Sequence, residues 1–324
     1  MGTADTDRRD STDALRLAAA VARRHYLDDR TNLEIAEEFG LSRFKVARLL
    51  ERARAEGLVR IDVVDPYAID AQLSDRLRDA LRIRRALVLG AVTDARTEVG
   101  ALAARHLRDV LEPGSTLGIA WSRSTQALVE HLRLAPCTVV QLCGVIRKVA
   151  SADDEVHNVE LVRQAARQCQ GTAVTFYAPL VLSDASATAT LRRQPAIADA
   201  LGFCDRLSAA VIAIGQWEPC ASTVHDALPH RERVAFARAG AVAETAGMLF
   251  DAHGRQLRDG LQKRVVAITE RQLRRTPDVI ALVSEPERAP AIRSLMRSGL
   301  VSTLITHRAV AERLLADATA NPVP

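Results

Sequence analysis

The segment GLSRFKVARLL, residues 40–50, places three basic side chains within six residues of one another. Arg43, Lys45 and Arg48 are interleaved with the apolar residues Val46 and Leu49. A helix with such a cationic face can reach the phosphates and base edges of DNA, so the chemistry indicated is non-covalent recognition of a polyanion. The alternative interpretation is an ordinary solvated face of a helical hairpin.

The residues around this segment predict the elements that would position it. TNLE, beginning at Thr31, is a capping box that starts a short helix, and Gly40 can take the positive φ that ends it. Ser42 is a suitable N-cap for the next helix, whose apolar residues recur at i, i+3, i+4 and i+7 from Val46. This spacing is typical of a helix-turn-helix. LVRIDVVDP, from Leu58, alternates like a strand and predicts a wing.

Charge distribution supports this interpretation. Residues 40–61 carry six basic and two acidic side chains, whereas residues 1–39 carry six basic and nine acidic ones. Positive charge is therefore concentrated on the proposed recognition helix and wing. We also expect Phe44, near the start of that helix, to press on a thymine methyl group or a sugar. The predicted DNA-contacting residues are Thr31, Ser42, Arg43, Phe44, Lys45, Arg48, Arg52 and Arg60.

The rest of the chain alternates short apolar segments with helical patterns. The predicted strands are residues 86–91, 116–120, 138–143, 173–178, 210–215, 278–283 and 302–307. The predicted helices between them include residues 96–112, 123–134, 156–170, 289–298 and 308–318. Continuous apolar strands alternating with helices predict a Rossmann-like α/β domain, in which a parallel sheet is covered on both faces.

Polar residues follow several of these strands, where ligands of parallel sheets bind. After residues 116–120 come the hydroxyls of Ser122, Ser124 and Thr125, the charge of Arg123 and a helix N-terminus. This combination suits a phosphate or carboxylate, although the hydroxyls could equally be helix caps. Further candidates at strand ends or on apolar segments are Gln141, Gly144, Gly215 and Glu244.

Length and composition set the outer limits of the interpretation. The chain has 324 residues, 48% hydrophobic and 26% charged, with a formal net charge of +4, which is typical of a globular protein with two domains. Apolar runs are too short to span a membrane and the N-terminus lacks an apolar leader, so we expect a cytoplasmic protein with no membrane partner. Neither the five cysteines nor the histidines have metal-site spacing, so no metal, cofactor or catalytic residue is predicted.

Nearly the whole chain resembles the SorC family of sugar-responsive bacterial transcriptional regulators. The resemblance rests on NLEIAEEFGLSRFKVARLLERARAEGLVRIDV, PGSTLGIAWSRST, TVVQLCG, FYAPLVL, AVIAIG, AGAVAETAGMLFDAHG and PAIRSLMRSGLVSTLITHRAVAERLL, in that order. It implies a winged helix-turn-helix joined to an effector domain with the fold of sugar-phosphate isomerases. It further implies a homodimer or homotetramer that binds operator DNA under the control of a sugar, sugar phosphate or polyol. The expected domains are residues 1–66, a linker helix at 67–85 that could form a dimer seam, and the effector and oligomerization domain at 86–324.

The family's effector residues carry over incompletely. Ser122 to Thr125 resemble its phosphate loop, although Ser122 replaces a common glycine. Gln141 and Gly144 match the next loop, although Cys143 replaces an asparagine, and Glu244 stands where an aspartate would touch sugar hydroxyls. Arg288 replaces a lysine, and Glu285-Pro286 replaces a pair of glycines. An added carboxylate and a lost backbone donor disfavour an anion. We therefore expect an effector less anionic than the family norm, such as a free sugar, polyol or sugar acid.

Two other functions remain open at this stage. The first is a sugar-phosphate isomerase-like enzyme, for which Glu218, Glu244 and His225 are the available acid–base groups, although their spacing singles out none of them. The second is a DNA-binding regulator whose signal is redox chemistry at Cys143. The sequence does not indicate the operator, or whether the effector releases or strengthens DNA binding.

Overall fold

The computed structural model describes residues 3–59, 69–145, 158–258 and 260–320, with side chains described from residue 14 to residue 316 of these ranges. The chain divides into two compact units, Met1–Val64 and Asp65–Pro324. Each unit has its own buried apolar core.

The first unit is a helix-turn-helix. It contains α1 (Thr3–Tyr26), α2 (Asn32–Phe39) and α3 (Arg43–Ala55). Its core is formed by alanine and branched aliphatic residues of all three helices: Ala18, Val21, Ala22, Ile35, Ala36, Val46, Leu49, Leu50 and Ala53. Small residues let α1 and α3 approach closely, which is why α3 can expose its basic face while its apolar face is fully covered. Most of the predicted wing, including Arg60, lies outside the described residues.

The second unit is built on a parallel sheet. Its strands are β1 (Arg85–Leu89), β2 (Thr116–Ile119), β3 (Thr138–Gln141), β4 (Thr172–Val174), β5 (Ala209–Ile212), β9 (Asp278–Leu282) and β10 (Thr303–His307). The strand order is β1-β10-β9-β5-β2-β3-β4, and every pairing is parallel. Beside it, β6 (Gly215–Gln216), β7 (Ala243–Thr245) and β8 (Met248–Phe250) form a small antiparallel sheet.

Helices cover both faces of the large sheet. They are α4 (Ala71–Leu81), α5 (Ala95–Val110), α6 (Arg123–His131), α7 (Asn158–Gln168), α8 (Ala185–Arg192), α9 (Pro195–Gly202), α10 (Thr223–Ala227), α11 (His230–Arg238), α12 (Glu270–Arg275), α13 (Ala289–Arg297) and α14 (Arg308–Ala320). Short 3₁₀ turns span Phe203–Arg206, Leu261–Arg264 and Pro286–Arg288.

Two large core clusters lie one on each face of the sheet, and a smaller third cluster contains Phe176, Ile197 and Val266. On β5, Ala209 and Val211 belong to the cluster that also contains α5, α6 and α7. Their neighbours Ala210 and Ile212 belong to the cluster that contains α4, α13 and α14. Because successive strand residues point to opposite faces, this alternation means that both faces are buried. The predicted α/β fold is confirmed, and each of the seven predicted strands overlaps an observed one.

Helix α4, which the sequence predicts as a linker helix, packs into the core of the second unit. Its leucines Leu73 and Leu77 are 5% and 0% exposed and pack in the core of the second unit. Asp70, the N-cap of α4, accepts a hydrogen bond from Arg308 at the start of α14, at 2.7 Å. Leu73 and Leu77 are thus covered by their own domain, and a role of the helix in dimerization stays a prediction.

Within the described residues, no helix combines the length and the apolar character that a membrane crossing requires.

Candidate functional sites

The start of α3 is fixed by three local contacts. Gly40 lies in the left-handed region at φ 63°, and its N–H and that of Leu41 both bond to carbonyls at the end of α2. Ser42 Oγ accepts a hydrogen bond from Lys45 N at 3.3 Å, which caps α3. At the other end of α2, Thr31 and Glu34 form the predicted capping box, with Thr31 N donating to Glu34 Oε2 at 2.8 Å. These contacts set the angle at which α3 leaves the turn.

The outer face of α3 carries unneutralised positive charge. Arg43, Lys45 and Arg48 are exposed, and within the described part of the chain no acidic side chain forms an ion pair with them. Phe44 is 72% exposed, and the Arg43 guanidinium carbon lies 5.5 Å from the centre of its ring. An exposed aromatic ring beside free cations can contact bases and sugars while the cations contact phosphates.

Three other arginines of the first unit, Arg24, Arg30 and Arg52, lie beside acidic side chains. Arg24 binds Asp28 at 2.9 Å and Glu38 at 2.8 Å, and Arg30 binds Glu34 at 3.3 Å. Among the predicted DNA-contacting residues, Arg52 is half-buried and lies 3.9 Å from Glu56. The hydroxyls of Thr31 and Ser42 are used in helix caps, so any DNA contact they make must be additional to that role.

In the second unit, a cavity of about 110 Å³ opens at the carboxyl ends of β2, β5 and β9. From β2 the chain proceeds outward through β3 and β4, and it then returns to β5 on the other side of β2. This is the topological switch point of the sheet, where the loops after neighbouring strands separate and leave a crevice. The lining residues come from these loops: Trp121, Ser122, Arg123, Ser124, Ala213, Ile214, Gly215, Cys220, Ala221, Ser222, Thr223, Asp226, Glu244, Leu282, Val283, Glu285 and Arg288.

The hydroxyl cluster after β2 divides between structure and cavity. Ser122 and Ser124 line the cavity, whereas Thr125 is fully buried and donates to Ala120 O at 2.9 Å. Ser122 Oγ also accepts from Thr125 N at 3.0 Å and so caps α6. Ser122 therefore caps the helix, and Ser122, Arg123 and Ser124 line the cavity, while binding of a phosphate or carboxylate there stays a prediction.

Glu244 lies at the base of the cavity on the small antiparallel sheet. It pairs with Gly215 across β6 and β7, and its Oε2 accepts from Ser222 Oγ at 3.1 Å while Oε1 accepts from Gly247 N at 2.7 Å. A Cβ on Gly215 would lie 2.9 Å from Glu244 Oε2, so glycine is needed for this close approach. Burial raises the pKa of Glu244 to about 7, because desolvation of the carboxylate outweighs these two hydrogen bonds.

Arg288 and Glu285 form one rim of the cavity. Arg288 Nη1 donates to Ile214 O at 2.6 Å, and its Nε lies 3.8 Å from Glu285 Oε2. Arg96 approaches the same carboxylate from α5, with its Nη2 3.5 Å from Glu285 Oε1. Glu285 is thus held between two guanidinium groups.

Two predicted effector residues are placed elsewhere. Gln141 is fully buried, and its side-chain amide donates to Cys143 O at 2.8 Å and accepts from Phe176 N at 3.1 Å. Gly144 packs against the chain at Ala178, where an added Cβ would lie 2.6 Å from the carbonyl oxygen. Neither residue lines the cavity in the described part of the chain.

Sequence reasoning assigned no role to three residues that line the cavity. Trp121 lines it, and the indole Nε1–H is buried with no hydrogen-bond partner among the described residues. Ser222 bonds to Glu244, and Asp226 accepts from Cys220 N at 3.2 Å with each oxygen. A serine before a short helix is a visible capping signal, but its proximity to Glu244 depends on contacts between segments 22 residues apart.

A protein-family model described as "Putative sugar-binding domain" matches residues 65–316 of this sequence. The chain belongs to the SorC family of sugar-binding transcriptional regulators. "Transcriptional regulator LsrR" of Klebsiella pneumoniae subsp. pneumoniae is 27% identical over 313 residues, which cover 93% of each chain. "Uncharacterized transcriptional regulator YjhU" of Escherichia coli is 26% identical over 307 residues, covering 90% of this chain and 92% of the relative.

The solved structures agree with this assignment at the level of the fold. The full-length sorbitol operon regulator SorC from Klebsiella pneumoniae matches with a TM-score of 0.71 and 22% identity, covering 94% of this chain and 99% of that one. Membership in the SorC family confirms the predicted transcriptional regulator with a sugar-binding domain.

Proposed function

We propose that α3 is the recognition helix of this regulator and that Arg43, Lys45 and Arg48 contact operator DNA. The observation that supports this most strongly is that the three cations lie exposed outside the buried apolar face of one helix, without ion pairs among the described residues. A cation already bound to a carboxylate must break that pair to bind a phosphate, whereas these need not. Phe44 is proposed to add contact with a base or sugar.

The test uses an operator obtained by in vitro selection from random duplex DNA, with binding followed by fluorescence anisotropy. Replacing Arg43 and Lys45 together by alanine should weaken binding by about thirtyfold to ten-thousandfold, because two base contacts contribute about 1–3 kcal/mol each. If both residues contact phosphate, the slope of log K against log salt should fall by about 2.

A matched control removes two positive charges away from α3. Arg108 and Arg167 are exposed in the second unit and pair with Asp109 and Glu160, so the double alanine variant changes net charge equally. Its operator affinity should stay close to that of the wild type. If both double variants lose the same operator affinity, the loss is explained by net charge alone. If the α3 variant binds the operator as tightly as the wild type, α3 is not the recognition helix.

We propose that the strand-end cavity of the second unit binds the sugar-type effector. Hydroxyls of Ser122, Ser124 and Ser222, the carboxyl of Glu244 and the guanidinium of Arg288 converge there, and such groups match the many donors and acceptors of a sugar. Arg123 adds a cation at the N-terminus of α6. Thr125 is proposed to act only by holding this helix start in place.

A thermal-shift screen of sugars, polyols and their phosphates identifies a binder, and calorimetry then measures its affinity. Arg123→Ala and Ser124→Ala should weaken that binding. Arg133→Ala, beyond the far end of α6, should not, because Arg133 binds Leu132 O and Gln168. If ligand affinity survives in the first two variants, the effector binds elsewhere.

The proposal includes no enzymatic activity. Of the three acid–base candidates, only Glu244 lines the cavity, while His225 packs against Trp217 and its Nδ1 lies 3.0 Å from Asp226 Oδ1. Sugar phosphates should therefore not be turned over, and product formation above background would contradict the proposal. A redox signal is also disfavoured, because burial raises the pKa of the Cys143 thiol to about 11.

We further propose a cytoplasmic homodimer or homotetramer, as the family resemblance implies. Sedimentation velocity with and without operator DNA measures the assembly, and a monomer under both conditions would contradict it.

A further inference from the structure

The strand-end cavity is lined by charged residues of both signs. In the described part of the chain, three carboxyl groups and two guanidinium groups line it: Asp226, Glu244, Glu285, Arg123 and Arg288. A phosphate-binding site normally presents several hydrogen-bond donors that are not already bonded to acceptors of the protein. Here acidic groups are at least as numerous as basic ones.

Glu285 occupies the position in which an anion would meet the arginines of this rim. Its two carboxylate oxygens lie 3.5 Å from Arg96 Nη2 and 3.8 Å from Arg288 Nε. Arg288 Nη1 is committed to Ile214 O at 2.6 Å. An incoming phosphate would therefore have to displace the carboxylate or lie beside it, and like charges at such separations repel.

Apart from Arg123 at the start of α6, the groups that remain suit hydroxyls. Trp121 is one of the lining residues, and its buried indole Nε1–H has no hydrogen-bond partner among the described residues; Ser124 is a buried lining residue as well. Asp226 and Glu244 can accept hydrogen bonds from hydroxyl groups, which an unprotonated phosphate oxygen cannot donate. A ligand with several hydroxyls and no net charge satisfies these groups without bringing an anion close to the carboxylates.

We propose that the cavity takes an uncharged polyhydroxy ligand, a free sugar or polyol, and that Glu285 excludes phosphorylated ones by holding the anion position beside Arg96 and Arg288. This proposal rests on the proposed effector site and adds the ligand class and the residue that selects it. Glu285 is a specificity residue for that site.

The first experiment measures inorganic phosphate binding by calorimetry to the wild type, to Glu285→Ala and to a control, Glu287→Gln. Glu287 is exposed in the same 3₁₀ turn and does not line the cavity, so its variant removes the same charge two residues away. Glu285→Ala should bind phosphate at least about tenfold more tightly than the wild type, and Glu287→Gln should match the wild type. Glu285→Gln, which keeps the size but removes the charge, should show a smaller gain.

Equal phosphate binding by the wild type and Glu285→Ala, including no binding by either, overturns the proposal. Circular dichroism of each variant shows whether it is folded, and Glu285→Gln supplies the comparison if the alanine variant is not.

The second experiment uses matched pairs: sorbitol and sorbitol 6-phosphate, and fructose and fructose 6-phosphate, as titrants for the wild type. Selective binding of a free member supports the proposal, and tighter binding of a phosphorylated member overturns it. Failure of the regulator function is read separately, from operator binding in the anisotropy assay, which does not depend on Glu285. If the proposed ligand class is wrong, the DNA-binding result can still hold. If operator binding fails, the ligand titrations can still support the proposed ligand class.

Discussion

Glu244 should make the stability of the second unit depend on pH. The group is 6% exposed, and its raised pKa of about 7 compares with an ordinary value of 4.5. Because the folded protein holds this proton more tightly than the unfolded chain, the stabilising contribution is complete below about pH 4.5 and is lost as the pH rises through about 7. The interval between the two pKa values corresponds to about 3 kcal/mol. Glu244→Gln removes the titration while keeping the side-chain size and an amide that can bond to Ser222 and Gly247.

The measurement is urea unfolding of the wild type and Glu244→Gln between pH 5 and pH 8. Both tryptophans, Trp121 and Trp217, lie in the second unit, so their fluorescence reports its unfolding. The free energy of unfolding of the wild type, relative to the variant, should fall by about 3 kcal/mol over this range. Glu287→Gln serves as an exposed control whose difference from the wild type should stay flat. Parallel pH profiles for the wild type and Glu244→Gln would refute the argument that burial of this carboxylate is costly.

Three further predictions follow from single contacts. Gly215→Ala should lower the free energy of unfolding by about 1–3 kcal/mol, because its methyl group would meet Glu244 Oε2 and Ser222 Cβ at 2.9 Å; urea unfolding at the wild-type level would contradict this. Thr31→Ala should cost about 1 kcal/mol through loss of the capping box, seen as a lower thermal midpoint by circular dichroism, whereas Thr31→Ser should keep it. Asp278 has a lowered pKa, with hydrogen bonds from His106, Ser302 and Thr303 among its causes, so its contribution is present above the ordinary carboxyl pKa and lost in acid. Asp278→Asn should therefore cost about 3 kcal/mol at neutral pH and flatten acid unfolding below about pH 4, and an unchanged acid profile would count against it.

The large sheet was predictable because its central strands are apolar on both faces. Segments such as residues 210–215 are continuously apolar instead of alternating between apolar and polar residues. The helical patterns that flank them indicate a parallel arrangement of the strands. The helix-turn-helix was predictable for a different reason. Its caps are local: Thr31 with Glu34, Gly40 at the turn and Ser42 with Lys45 all act within three residues.

The small antiparallel sheet was not predicted. Its strands β6, β7 and β8 span two or three residues each, which is too short for a period to be visible. As a result the pairing of Gly215 with Glu244 could not be anticipated, and neither could the bond from Ser222. Such contacts depend on tertiary packing rather than on the local pattern.

Helix α4 shows a second limit of pattern reasoning. Leu73, Leu77 and Leu81 recur at every fourth position, which indicates that the helix has an apolar face. The pattern does not indicate which surface covers that face. The sequence was compatible with a second copy of the chain, whereas Leu73 and Leu77 pack beneath α13, α14 and β1 of their own domain. Long-range contacts, such as the pair of Asp70 with Arg308, decide between these possibilities.

The exposed arginines of α3 and the arginines of the cavity rim differ in whether a carboxylate already binds them. Arg43 and Arg48 have no carboxylate partner among the described residues, so a DNA phosphate can bind them without displacing one. Arg96 and Arg288 share Glu285, so a phosphate on an effector would have to compete with a tethered carboxylate whose local concentration is high. A count of arginines would rate both surfaces as anion sites. The arrangement of carboxylates instead favours a polyanion at α3 and an uncharged ligand in the cavity, which would keep the effector site from competing for DNA phosphates.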